Sequence, residues 1–136
     1  MGMDVYGLSP ASAAGEYFRA SIWSWRPIYG LTIELCSDLL DEETLGNMAY
    51  NDGAGPDDAK TCSQMADRFA GWLEENLNGH QVYVEREGSF EGGVVTALEK
   101  AGWTTVNDFE SNFRTNHEHL TRWVEFLRHC GGFEVW

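Results

Sequence analysis

The apolar spacing between Pro56 and Leu77 narrows the fold more than anything else in this chain. Ala59, Cys62, Met65, Ala66, Phe69, Trp72, Leu73 and Leu77 recur at intervals of three and four, which lines side chains along one stripe of an α-helix. Asp57 and Asp58 stand in its first turn, where carboxylates complement the positive end of the helix dipole, and Asn78-Gly79 closes it. A short helix in water is marginal without tertiary packing. The stripe therefore requires partners, and the rest of the chain must supply them.

Two further segments carry the same spacing. Leu120, Trp123, Val124, Phe126, Leu127 and Cys130 form one apolar face. It is preceded by a capping box from Thr115 to Glu118, in which each side chain can satisfy the other's backbone N–H, and Gly131-Gly132 stops it. Ile28, Leu31, Leu35, Cys36 and Leu39 predict a helix running to about Leu40, with Pro27 in its first turn and Gly30 weakening its start. Ahead of it, Glu16 to Trp25 gathers Tyr17, Phe18, Ile22, Trp23 and Trp25 and reads as a turn of helix or an irregular core segment. Asp41 to Gly55 is acidic and rich in Gly and Asn, with Asn51-Asp52-Gly53 as turn chemistry, and reads as a surface loop.

Strand signals are fewer. Asp4-Val5-Tyr6 forms a short strand before a Gly, Ser, Pro and Ala-rich connector from Gly7 to Gly15; Gln81 to Arg86 alternates. Phe133 to Trp136 makes an end strand that can lie against the Val5 segment. Val94 to Ala101 reads as a short helix ended by Gly102. The expected fold class is mainly α, with α+β as the alternative: a small helical bundle with a short strand pair from the N- and C-terminal segments. At 136 residues one domain, 1–136, is expected.

Charge gives the loudest compositional signal. Asp and Glu number 22 against 9 Lys and Arg, for a net −13. Such a field repels nucleic acid and anionic membrane and attracts basic partners. It is also uneven: from Pro27 to Ala59 there are eight carboxylates and no Lys, Arg or His. No apolar run is long enough to span a bilayer, and MGMDVYG lacks the basic region and apolar run of a signal peptide. Tyr6 occupies the position where N-myristoylation needs a small hydroxyl residue. A cytosolic location is the expectation. Cys36, Cys62 and Cys130 are odd in number and widely spaced, which suits buried reduced thiols.

Common catalytic signatures are absent: the sequence has no phosphate loop, GxSxG elbow or HExxH, and no Cys–His pair at ligand spacing. His117 and His119 flank Glu118, but residues two apart on a helix point about 200° apart and cannot grip one metal. The carboxylates Asp38, Asp41 and Glu42 lack EF-hand spacing. Trp23, Trp25, Trp72, Trp103 and Trp123 could stack bases, yet base-stacking sites come with a basic groove. Core packing accounts for them better. No enzyme activity, metal or cofactor is therefore expected.

Gly2 to Gly7, Pro10, Gly15-Glu16-Tyr17-Phe18-Arg19, Trp23-Ser24-Trp25-Arg26-Pro27, Phe126-Leu127-Arg128 and Cys130-Gly131-Gly132-Phe133 together resemble a group of short proteins, without assigned activity, from bacteria and their phages. The resemblance covers the first 27 residues and roughly the final 20 and leaves out the acidic centre. It implies a shared fold and a mobile-element setting, and no mechanism.

These observations lead to an expectation and two alternatives. The expectation is a non-enzymatic protein whose acidic face blocks the basic, nucleic-acid-binding surface of a partner protein or complex, as anti-CRISPR and other DNA-mimic inhibitors do, without itself binding nucleic acid or membrane. Its contact residues would be Glu34, Asp38, Asp41, Glu42, Glu43, Asp52, Asp57 and Asp58. Reversing three or four of them should abolish binding and leave thermal stability nearly unchanged. One alternative is an immunity or antitoxin-type protein that covers a basic nuclease. The other is a small enzyme or ligand-binding domain with a pocket among Tyr6, Tyr17, Arg19, Trp25 and Arg26, although Arg19 and Arg26 suit internal ion pairs or cation–π contacts equally well.

Overall fold

The structure, a computed structural model, describes residues 2–76, 81–84, 103–105 and 114–136. The expected helix stop at Asn78-Gly79, the end of the middle strand at Glu85 and Arg86, and the expected helix from Val94 to Ala101 lie outside the described residues.

The fold is α+β rather than mainly α. Strand β1 (Gly2–Gly7) is the centre of a three-stranded antiparallel sheet, flanked by β2 (Tyr17–Ser21) and β6 (Phe133–Val135). The expected pairing of the two chain ends is present: Val5 lies opposite Val135, and Gly7 opposite Phe133. The unexpected member is β2, where an irregular or helical aromatic segment was anticipated. Its burial alternates, with Phe18 and Ala20 inside and Tyr17, Arg19 and Ser21 outside, so period two rather than aromatic density decides the conformation. Three more strands, β3 (Gln81–Val84), β4 (Trp103–Thr105) and β5 (Arg114–Asn116), make a second antiparallel sheet with β3 in the middle.

Helix α1 (Ile22–Cys36) begins earlier than Pro27 predicts, because Ser21 caps it by accepting from the Ser24 amide. Pro27 is thus the sixth residue of the helix. It costs one i→i−4 bond, to the Trp23 carbonyl. Packing outweighs the loss, since every residue from Pro27 to Ile33 is buried. The helix stops at Cys36, short of Leu40. The segment expected to be loop contains a short helix, α2 (Glu42–Asn47), capped by Asp41, whose carboxylate accepts from the Thr44 amide. Two donors on α1 dock this segment: the Trp25 indole N–H bonds the Met48 carbonyl at 3.0 Å, and the Tyr29 hydroxyl bonds the Leu45 carbonyl at 2.8 Å.

Helix α3 (Ala59–Asn76) carries the anticipated stripe, with Cys62, Met65, Ala66, Phe69 and Leu73 buried. Asp58 serves as its cap rather than as a first-turn residue, accepting from the Thr61 amide at 2.9 Å and hydroxyl at 2.8 Å. Helix α4 (His117–His129) packs along α3 and buries Leu120, Trp123, Val124, Phe126 and Leu127. Its anticipated capping box does not form. Thr115 belongs to β5, opposite Val82, and the helix follows that strand directly. At the other end, Gly131 and Gly132 have φ of 65° and 104°, the left-handed conformation that ends a helix at little cost in glycine.

Trp123 is the hub of the core. Its ring lies 5.6 Å from Trp25 edge to face, 5.7 Å from Phe126 in a stack, and 5.0 to 6.2 Å from Phe18, Phe133 and Phe69. Full burial of such side chains contributes about 1.5–3 kcal/mol each, and the edge-to-face contacts add about 0.5–1.5 kcal/mol. Helices, sheet and chain ends therefore converge on one core.

Candidate partner-binding surfaces

All eight carboxylates of the Pro27–Ala59 segment are exposed. They fall in two groups. Glu34 on α1, Asp38 just past its end, and Asp41, Glu42 and Glu43 at the start of α2 belong to the acidic corner at which the chain passes from α1 into α2. Asp52, Asp57 and Asp58 lie on the stretch that runs beside β6, tied to it by Gly53 N–H to the Val135 carbonyl (2.7 Å), Val135 N–H to the Ala54 carbonyl (2.8 Å) and Phe133 N–H to the Pro56 carbonyl (2.9 Å).

Three of the eight also serve the fold. Asp38 receives a two-pronged Arg68 guanidinium, at 2.8 and 2.9 Å, and Arg68 also bonds the Leu35 carbonyl at the end of α1. That guanidinium holds the Asp38 carboxyl below its ordinary range. Asp41 and Asp58 are helix caps, and the amides and hydroxyls of Thr44 and Thr61 lower their carboxyls in turn. Among the described residues, Asp38 is the one carboxylate of the eight in an ion pair. Glu34, Glu42, Glu43, Asp52 and Asp57 are exposed and make no such cap or ion pair among the described residues.

The five residues proposed to line a pocket do not come together. Trp25 is in the core, 1% exposed, and Arg26 follows it on α1. Tyr6, Tyr17 and Arg19 do share a surface, the outer face of the β2–β1–β6 sheet. Register sets its rows: Tyr6 lies between Tyr17 and Glu134, and Asp4 lies beside Arg19. Trp136 exchanges backbone hydrogen bonds with Asp4 (2.6 and 2.8 Å) and so continues the outward row beyond Glu134. Asp4 accepts from the Tyr17 hydroxyl and from Arg19 Nη1 at 2.7 Å, and the Tyr17 bond, with Arg19 behind it, lowers the Asp4 carboxyl. Asp4, Glu134 and Trp136 escaped the sequence reading. The alternation of β2 would have exposed them, because it sets which side chains of the paired strands face outward.

A cleft of about 400 Å³ opens between β2 and α4, lined by Ala14, Tyr17, Phe18, Arg19, His119, Thr121, Arg122 and Glu125. His119 stacks on Phe18 with centroids 5.0 Å apart, and its Nε2 is 3.3 Å from the Arg19 carbonyl. Burial lowers its pKa, which favours neutral imidazole. Of this lining only Tyr17 and Arg19 were anticipated.

Among the described residues, no cluster of His, Cys, Asp and Glu could hold a metal ion, and no helix is long and apolar enough to cross a membrane. The three cysteines are buried free thiols. Burial pushes Cys36 up to about 12, and Cys62, which hydrogen-bonds to Cys130, is raised as well. No family model matches the chain, and no curated protein or solved structure matches it either.

Proposed function

We propose that this chain is a non-enzymatic binding protein that uses its carboxylate surfaces to occupy the basic, nucleic-acid-binding surface of a larger protein. The observation that carries this reading is the exposure of all eight carboxylates between Pro27 and Ala59, seven of them outside any ion pair among the described residues. Caps and backbone bonds hold several of them in place. Carboxylates fixed on a rigid frame can stand in for phosphates, and a net charge of −13 steers association with a cationic surface from beyond contact distance.

Affinity capture from a nuclease-treated bacterial lysate tests the proposal, with the wild type compared against an E34K/E42K/E43K/D57K variant that spares the caps and the Arg68 partner. A nucleic-acid-binding protein should be retained at low salt, released as salt rises and displaced by duplex DNA, and the variant should not retain it. Equal retention by wild type and variant, or no nucleic-acid-binding protein among the proteins retained, refutes the reading. A retained nuclease whose activity falls on binding would favour the immunity-type version of the same electrostatics.

The cleft between β2 and α4 favours one second reading, a ligand-binding domain. Two guanidiniums border one cavity, Arg19 paired with Asp4 and Arg122 with Glu118, beside Glu125, and their remaining N–H groups are the donors a small anion would need. Titration with phosphate and with benzoate, followed by amide shifts at His119 and Arg122, tests it; unmoved shifts at millimolar ligand dismiss it.

A further inference from the structure

The inner face of the β2–β1–β6 sheet is sealed in the core, whereas the outer face carries exposed aromatic rings. Tyr6, Tyr17 and Trp136 are 46%, 45% and 48% exposed. The Tyr6 and Tyr17 rings lie 5.3 Å apart. Tyr50, 56% exposed, precedes Asn51, whose side-chain amide bonds the Gly2 and Trp136 carbonyls at 3.1 and 3.0 Å. Scattered exposed apolar residues are ordinary, but aromatic side chains gathered on the outer face of one sheet mark an interaction site.

The arrangement is built. Gly53 is pressed against the Trp136 ring: a Cβ there would meet it at 2.6 Å, and φ at this residue is +86°. The ring therefore has a firm backing, while Asn51 ties its turn to the start of the central strand β1 and to the residue that follows β6. Asp4 fixes Tyr17 and Arg19. Asp4 and Glu134 share the face with the rings, Asp52 stands in the chain between Asn51 and Gly53, and among the described residues the cation on this face is Arg19, which Asp4 already engages. Rigid aromatics beside carboxylates fit one kind of side chain best. A guanidinium can lie flat on a ring and bond a carboxylate through its edge, whereas an ammonium is a compact, strongly hydrated charge.

We infer that the outer face of the β2–β1–β6 sheet is a docking surface for an arginine-bearing segment of a basic protein, with Tyr6, Tyr17 and Trp136 stacking guanidinium groups and Asp4, Glu134 and Asp52 pairing with them. This rests on the proposed carboxylate-mediated binding and divides the labour within it: the acidic corner supplies long-range attraction, and the sheet face supplies the choice of arginine over lysine. Each exposed guanidinium–ring contact contributes about two- to five-fold to affinity, and the share of it that an ammonium cannot match sets the preference.

The test measures binding of labelled oligo-arginine and oligo-lysine peptides of equal length by fluorescence anisotropy. Wild-type protein should bind the arginine peptide at least several-fold more tightly. A Y6S/W136S variant should lose that preference while keeping its lysine affinity, and E34K/E42K/E43K should weaken both peptides alike and keep the ratio. Tyr17 is left intact because its hydroxyl also bonds Asp4. Equal affinity of wild type for the two peptides, or a preference that survives Y6S/W136S, overturns the inference. If instead the preference stands and E34K/E42K/E43K binds as wild type does, the acidic-corner reading fails and this one holds. A measurement on wild-type protein guards against misfolded variants: the arginine peptide must shift the amides of Tyr6, Arg19 and Trp136, and unmoved amides there also overturn it.

Discussion

Trp25 and Trp123 are both sealed in the core, 1% and 0% exposed, with their rings 5.6 Å apart, yet replacing each with Phe should have unequal effects. Either change removes part of an indole from a packed interior, at about 1–2 kcal/mol in lost transfer energy and cavity. Trp25→Phe also deletes the donor to the Met48 carbonyl, leaving a buried acceptor without its bond at a further cost of about 1–3 kcal/mol. Among the described residues the Trp123 indole N–H has no hydrogen-bond partner, so Trp123→Phe forfeits none. Unfolding entropy of about 2.1 cal/mol/K per residue comes to about 0.3 kcal/mol/K for a chain of this length, so the gap corresponds to about 3–10 °C in melting temperature. Urea denaturation followed by far-ultraviolet circular dichroism measures it without relying on the altered fluorophores. Hydrogen exchange adds a local readout: protection of the amides from Leu45 to Met48 should fall in the Trp25 variant and hold in the other. If Trp123→Phe costs as much as Trp25→Phe, the docking role given to the indole N–H is wrong.

Asp58→Ala removes the cap of α3 and should lower stability by about 1 kcal/mol in urea titrations, whereas Asp57→Ala, one residue away and not a cap, should change it little. Acid should destabilise the protein in a defined direction. Asp4, Asp38, Asp41 and Asp58 are all more acidic folded than unfolded, so protons bind preferentially to the unfolded chain. Stability from these groups is then complete above the unfolded carboxyl value of about 4 and is lost as pH falls through the lowered folded values; a melting temperature that rises as pH drops from 5 to 3 (about one unit either side of that value) would contradict the assignment. Because all three cysteines are sealed in the core, with Cys36 pushed up to about 12 by burial, Cys62 raised by its bond to Cys130 and by burial, and Cys130 lowered by that bond, a thiol reagent near neutral pH should react only as fast as the protein unfolds. Immediate labelling of any cysteine in the native state would show that the core around it opens.

The legible parts of the fold were those where one signal dominates. The α3 and α4 stripes are long enough for the helical period to show, and Gly131-Gly132 separates α4 from β6 clearly enough that the pairing of β6 with β1 could be anticipated. The segment from Glu16 to Pro27 misled because three signals overlap there. Aromatic residues fall on both faces of β2, Tyr17 outward and Phe18 inward, which hides the alternation. Ser21 then caps a helix that Pro27 was expected to begin. Helix α2 is six residues long, too short for periodicity, and its apolar contacts are Leu45 and the following Met48. What marks it is the cap at Asp41, and a carboxylate in an acidic run is hard to recognise as a cap before the start of the helix is known.

That same ambiguity bears on function. An acidic run reads as one block in sequence, eight like charges with a single implied purpose. The fold divides it: Asp41 and Asp58 are consumed by backbone amides and Asp38 by Arg68, which fixes where α2, α3 and the end of α1 lie. Of the carboxylates that remain, Glu42 and Glu43 follow the Asp41 cap on α2, Asp57 adjoins the Asp58 cap of α3, Glu34 lies on α1 ahead of Asp38, and Asp52 is held by the backbone bonds to β6. A carboxylate that must pair with a partner's cation loses affinity if its backbone has to be ordered on binding, so the capped and paired members serve recognition indirectly, by pre-ordering their neighbours. Reversal of the engaged set should therefore weaken binding through loss of structure. Reversal of the remaining set should weaken it with the structure intact, and it is this contrast, rather than the net charge, that separates a built recognition surface from an acidic coat that only keeps the protein in solution.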